Sequence, residues 1–321
     1  MKIFDGHTDI FTDVVDQFIE GEKRTLIEEH LPKLKEGEIV AGNFVFWDEP
    51  KYKDNSLERL QISLDIVDKV LQDSDQYFIK IEKEVDFHKA MDKNLLAIIL
   101  GIEGLAPIKK DLDWIHRLHQ YGVRTASLTW NEENQLATGL DGDVNRGLTQ
   151  DGMFALKMME SVGILIDVSH LNEKSFWDVI NYSSKPVIAT HCNAYTLCKH
   201  KRNLKDDQID AIKSMGGMIG VNAWPGFVDE KDPSVERVID HIDHMIDRIG
   251  VDHVSFGFDF TDFLLPAPKK KNSIKRKPTE RLLNACHAQN AIKVMRNRGY
   301  CENDIASIAY DNLKSFYSLN I

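Results

Sequence analysis

Eight short apolar runs separated by polar or amphipathic sequence constrain the fold of this chain more than any other feature. They occupy residues 2–4, 38–46, 95–102, 123–129, 164–168, 186–189, 218–221 and 254–258. Several are apolar almost throughout rather than alternating, as strands covered on both faces are. Helical patterns fill the intervals, for example 207–215 and 235–249, and Thr149-Gln150-Asp151 stands as a cap before the run at 153–159. Eight strands alternating with helices predict an α/β fold of the (β/α)₈ TIM-barrel type, with a doubly wound open sheet as the competitor. At 321 residues the chain is long enough for two average domains. Barrels of this size are nonetheless commonly one domain, and a single barrel domain over 1–321 is expected.

Charge and cysteine content narrow the function classes. Forty Lys and Arg against 51 Asp and Glu give a formal charge of -11, which repels nucleic acid and anionic membrane alike, so neither is expected as a partner. Four cysteines (Cys192, Cys198, Cys286, Cys301) with no CxxC pair are too few for a disulfide scaffold. The N-terminal run turns polar after four residues, and the C-terminus has no long apolar tail. Together these predict a cytoplasmic protein. The basic run at 269–277, flanked by Pro266, Pro268 and Pro278, reads first as a solvated loop, with a substrate-facing lid or an anion-binding patch as alternatives.

A barrel places its chemistry where strands end. Here the first strand runs into Asp5-Gly6-His7-Thr8-Asp9, the third into Gly101-Ile102-Glu103-Gly104, the fifth into Asp167-Val168-Ser169-His170, the sixth into Thr190-His191 and the eighth into Gly257-Phe258-Asp259. One histidine at a strand end is usually just hydrogen-bonded, but acids and imidazoles at five strand ends point to a metal centre. Residues i and i+2 share a strand face, so His7 and Asp9 can reach one ion. Imidazole with carboxylate suits zinc, with manganese or iron behind it. Five or six ligands exceed the needs of one tetrahedral ion, so two ions about 3.5–4 Å apart are expected, with Glu103 as the bridge. His116 with His119 and His241 with His244 are spaced three apart on expected helices, on solvent faces, and are not expected to bind metal. Cys192, next to His191, would point the other way and is no candidate nucleophile.

At these residues the chain resembles the membrane (renal) dipeptidase family of two-zinc, amidohydrolase-type barrels. The likeness covers nearly the whole chain. It rests on Asp5-Gly6-His7-Thr8-Asp9, on His30-Leu31-Pro32-Lys33-Leu34-Lys35-Glu36-Gly37, and on Gly147-Leu148-Thr149 followed by Gly163-Ile164-Leu165-Ile166-Asp167-Val168-Ser169-His170. Thr190-His191 and Lys201-Arg202-Asn203-Leu204 complete it. The resemblance implies that His7 and Asp9 hold one zinc, that His170 and His191 hold the other, and that Glu103 bridges them. It also implies that Asp259 handles the proton and Arg202 holds the substrate's terminal carboxylate. One stretch departs from the family: where many members carry a substrate-binding histidine, this chain has Trp130 followed by Asn131. Trp130 cannot become a cationic donor, which leaves oxyanion stabilisation to the metals or to Asn131.

The expected activity is therefore a zinc-dependent dipeptidase in which a metal-bridging hydroxide attacks the peptide bond, with two Zn²⁺ per chain, a dipeptide as partner and room for a homodimer. Two alternatives stay open on the sequence. The same barrel and metals suit another amide, a lactone or an amino-substituted ring. Trp130 also admits a non-catalytic metal-stabilised binding protein, although such a protein has no need of a proton acceptor at Asp259.

Overall fold

The computed structural model describes residues 1–47, 50–264 and 278–321, so the basic run at 269–277 lies outside the described residues. The strands in chain order are β1 (Ile3–Thr8), β2 (Ile39–Trp47), β3 (Phe78–Lys80), β4 (Leu96–Glu103), β5 (Val123–Ser127), β6 (Leu165–Asp167), β7 (Ile188–Ala189), β8 (Met218–Val221) and β9 (Val254–Phe256). All eight expected strands are present. Only β3 is unexpected.

Neighbouring strands pair in parallel in the order β1-β2-β4-β5-β6-β7-β8-β9. β2 follows one edge of β4 from Ala41 opposite Ala97 to Trp47 opposite Glu103. β3 takes the lower part of the other edge, Phe78 opposite Leu96, and β5 takes over from Leu100 upward. The ring is drawn shut between β9 and β1, where the Asp259 N–H donates to the His7 carbonyl (3.1 Å) and the Phe258 N–H to the Asp5 carboxylate (2.8 Å). The fold is a nearly closed (β/α)₈ barrel, not an open sheet. Helices follow the expected pattern: Thr149 caps Gln150–Val162 by accepting from the Gly152 N–H (3.0 Å), and Val235–Ile249 has the expected bounds. Among the described residues no helix is long and apolar enough to cross a membrane.

Strand alternation sorts the side chains into two sets. Ile98, Leu100 and Ile102 of β4 pack outward with the helices, as do Ile166, Ile219 and Phe256. Phe4, Ala97, Ile99, Leu165, Ile188 and Met218 form a second cluster with Leu313, Phe316 and Tyr317 of the helix Asn312–Asn320, which plugs the lower end of the barrel. Phe4 and Tyr317 stack there at 5.5 Å. Continuing the inward parity upward gives Glu103 on β4, Asp167 on β6, Thr190 beyond β7, Asn222 beyond β8 and Asp259 beyond β9. The interior thus changes from apolar to polar along its axis.

Three glycines let the strands close on Thr190. A Cβ at Gly257 would lie 1.8 Å from the Thr190 carbonyl oxygen, one at Gly220 2.1 Å and one at Gly6 3.0 Å. The obstruction is backbone, which cannot rotate away. Gly257→Ala is therefore expected to cost about 1–3 kcal/mol by overpacking, read as a lower Tm with unchanged far-UV circular dichroism. An undiminished Tm would show that the seam has slack.

Candidate metal centre and substrate cleft

Imidazoles from three different segments converge on one carboxylate oxygen. Glu103 Oε1 is 2.7 Å from His170 Nε2, 3.3 Å from His191 Nε2 and 3.8 Å from His7 Nε2. On the far side of each ring Nδ1 meets an oxygen: Thr190 Oγ1 for His191 (2.8 Å) and His7 (3.2 Å), and Asn131 Oδ1 for His170 (2.9 Å). The Asn131 carbonyl oxygen can only accept, which puts the proton of His170 on Nδ1 and leaves a lone pair at its Nε2. Arg202 supports this assignment, since its Nη2 can only donate and lies 3.0 Å from His170 Nε2. Burial lowers the pKa of all three imidazoles, that of His191 most, which disfavours their charged forms. His170 Nε2 and His191 Nε2, 2.9 Å apart, then face each other and an anionic oxygen. Lone pairs and a carboxylate converging in a buried pocket fit a divalent cation.

Two of the metal-sized donor groups consist of residues singled out in the sequence. Glu103, His170 and His191 place donor atoms within 4.8 Å of one another, and so do His7, Asp9 and Asp259. Asp9 lies past the end of β1, at the N-cap of the helix Ile10–Glu20, with Oδ1 3.8 Å from His7 Nε2. His170 (φ 63°) and Asp259 (φ 56°) both adopt left-handed backbone, a conformation costly for side chains other than glycine and concentrated at functional sites. Asp259 accepts from Asn222 Nδ2 (3.0 Å). Burial, then the charge of Glu103, push Asp259 up to about 8 against that hydrogen bond. Burial likewise pushes Asp5 up to about 7, although two backbone N–H groups favour its charged form.

Arg202 is buried beside this cluster. Its Nη1 is 3.7 Å from Cys192 Sγ, and its guanidinium lies 5.4 Å from the Phe227 ring. A cleft of about 390 Å³ opens above, walled by Trp47, Trp130, Trp224 and Phe227 and reached by Glu103, His170, His191, Arg202 and Asp259. Trp130 stands 4.5 Å from Trp47 and 6.2 Å from His170, ring to ring. Asn131 lines the cleft while its Oδ1 is engaged with His170. All nine residues singled out in the sequence lie around this one rim.

Sequence reasoning left Thr190, Asp167, Asn222 and Trp47 without roles. Inward parity places Asp167, Thr190 and Asn222 on the barrel interior, but their roles, like that of Trp47, needed the three-dimensional arrangement. One expectation fails: His241 is not on a solvent face. It falls within the buried stripe Val238, Ile242 and Met245, where it accepts from the Ala194 N–H (3.1 Å) and donates to the Val228 carbonyl (2.9 Å). His244 pairs with Asp206 (2.9 Å), and His116 is exposed. Among the described residues neither helical pair joins a metal-sized donor group. Burial lowers the His241 pKa below its unfolded value near 6.5. Its stabilisation is therefore present above about pH 6.5 and lost as pH falls. His241→Ala should cost about 1–3 kcal/mol at pH 8 by stranding two buried backbone groups. The Tm deficit should shrink toward pH 5; one that grows on acidification would contradict a neutral buried imidazole.

Comparison with known proteins agrees with this geometry. Residues 1–315 match the family model described as membrane dipeptidase, peptidase family M19. An uncharacterised Klebsiella pneumoniae protein is 32% identical over 232 residues, 66% of this chain and 86% of that protein. A dipeptidase of Clonostachys rogersoniana is 34% identical over 174 residues, 54% of this chain and 45% of its own. Among solved structures, a metallopeptidase of Rhodobacter sphaeroides, bound to a phosphinate mimic of L-Ala-D-Ala, superposes with a TM-score of 0.87 at 23% identity, covering 100% of this chain and 99% of its own.

Proposed function

Because the chain belongs to the membrane dipeptidase family and is a metallo-dipeptidase, we propose that its rim holds two zinc ions and cleaves dipeptides that carry a free carboxylate. One observation carries this reading: three imidazoles present Nε2 to Glu103 Oε1 beside a buried arginine. In this reading His7 and Asp9 would hold one ion, His170 and His191 the other, and Glu103 would be shared between them. Such a pair, when bound, makes water acidic enough to give a nucleophile near neutral pH and polarises the scissile carbonyl.

The protein's own groups supply the rest. Asp259, held by Asn222 at the edge of the cleft, is placed to take the proton from water as its oxygen bonds to the carbonyl carbon, and to return it to the amine as the C–N bond breaks. With His170 Nε2 committed to an ion, Arg202 Nη2 loses its acceptor, and a substrate carboxylate provides two in the fork geometry a guanidinium matches. That fixes the distance from carboxylate to scissile bond, hence a dipeptide. The mimic bound by the Rhodobacter sphaeroides relative supports the same substrate class. Trp130, backed by Trp47, offers an apolar wall to a substrate side chain, and Asn131 fixes His170 from behind. Four cysteines without a disulfide suit the reducing cytoplasm.

Metal analysis after zinc loading should find two ions per chain, and Glu103→Gln should lower that content and abolish hydrolysis of a dipeptide panel. One ion or fewer in the wild type, or full activity in the variant, would remove the two-ion reading. Arg202→Ala forfeits a charge-assisted pair of roughly 2–5 kcal/mol, so kcat/KM on a free-acid dipeptide should fall by orders of magnitude. On the corresponding C-terminal amide, already a poor substrate, it should change little. Equal losses on both would show that Arg202 supports the fold or the metals instead.

A further inference from the structure

We propose that Thr190 and Asp167 form a positioning pair through which a single hydroxyl fixes the tautomers of His7 and His191 together, and so prepares one ligand for each of the two ions. Thr190 Oγ1 lies 2.5 Å from Asp167 Oδ2, 2.8 Å from His191 Nδ1 and 3.2 Å from His7 Nδ1. A hydroxyl has one proton to give and two lone pairs to receive with. The short contact to a carboxylate takes the proton, because a carboxylate can only accept. Both lone pairs then face imidazole nitrogens, so each ring must bring its own proton to Nδ1. Nε2 is left bare on both rings, on the side of Glu103. Ser169 Oγ, the remaining neighbour at 3.4 Å, is too distant to compete.

The pair is itself held rigidly. Asp167 Oδ1 accepts from the Ser169 N–H (2.9 Å) and the Thr190 N–H (3.1 Å), which orients the carboxylate. Gly6, Gly220 and Gly257 close around the Thr190 carbonyl, which fixes the backbone that carries the hydroxyl. His7, Asp167 and His191 are also close enough to be read as a ligand group of their own. Thr190 Oγ1 occupies the middle of that group, in the space an ion would need. Asp167 therefore acts on the histidines through the hydroxyl. His170 is prepared separately, by Asn131.

Only the metal arm of the test rests on the two-ion reading. In metal-free protein with ¹⁵N-labelled histidine at pH 8, long-range ¹H–¹⁵N spectra should show His7, His191 and His170 all as Nδ1–H tautomers. Thr190→Val should redistribute His7 and His191 while leaving His170 unchanged, and Thr190→Ser should keep the wild-type pattern. By chelator competition, Thr190→Val should weaken both zinc ions by about 10–100-fold, the usual effect of losing a partner behind a metal-ligating histidine. Thr190→Ser should restore both affinities, whereas Asn131→Ala should weaken only one. Wild-type tautomers in Thr190→Val, or weakening confined to one ion, overturns the proposal. If Thr190→Val does not fold, an Nε2–H form of either His7 or His191 in the wild type does the same. A wild-type chain that binds one ion yet shows the tautomer shift would count against the two-ion reading and leave the positioning pair intact.

Discussion

The upper half of the barrel is organised around the difficulty of burying Glu103. A carboxylate removed from water is tolerated only with compensating charge and hydrogen bonds. Here its nearest neighbours are the Nε2 atoms of three imidazoles. Such a cluster fits a metal-binding site, and its surroundings follow from that. Asn131 and Thr190 stand behind the rings, Arg202 lends a fixed positive charge from one side, and Asn222 steadies Asp259 on the other. Stability and function compete at this end, and the left-handed backbone of His170 and Asp259 is part of that cost.

The lower half carries no such burden. Phe4, Ile99, Leu165, Ile188 and Met218 fill the interior with apolar volume, and the C-terminal helix seals it. Such a division lets the fold tolerate a polar, charge-rich rim, because the close packing that holds the strands together lies elsewhere. The glycines beside Thr190 mark the transition between the halves. Below them side chains fill the interior; at their level the strands approach so closely that backbone does.

Much of this was legible in the sequence because both organising signals are local. Apolar runs gave the strands, and acids or histidines directly after them gave the rim; His7, Glu103, His170, His191 and Asp259 needed no more than that. Arg202 and Trp130 lie beyond the strands and were placed by family resemblance. Local patterns did not reveal Thr190, whose role exists only where β1 and β7 bring His7 and His191 to one oxygen. Nor did they reveal Trp47, which matters because it meets Trp130 across β4. His241 was misread because a histidine's polarity outweighed its spacing: it sits three residues from both Val238 and His244, but only the first of these marks a buried face.

The plug formed by Asn312–Asn320 has a consequence for how the molecule is made. β1 finds one neighbour in β2 early in the chain, but its other side is met only by the segment after β9, and Phe4 waits for Tyr317 before its lower face is covered. During synthesis the first strand is thus committed to an interior that the last helix completes, a contact of nearly maximal sequence separation. Until then an unpaired edge and an apolar barrel floor are open to water and to other chains. The hazardous interval for this protein is therefore the span of translation between β1 and the helix Asn312–Asn320, and slowing the emergence of that helix should lengthen dependence on chaperones.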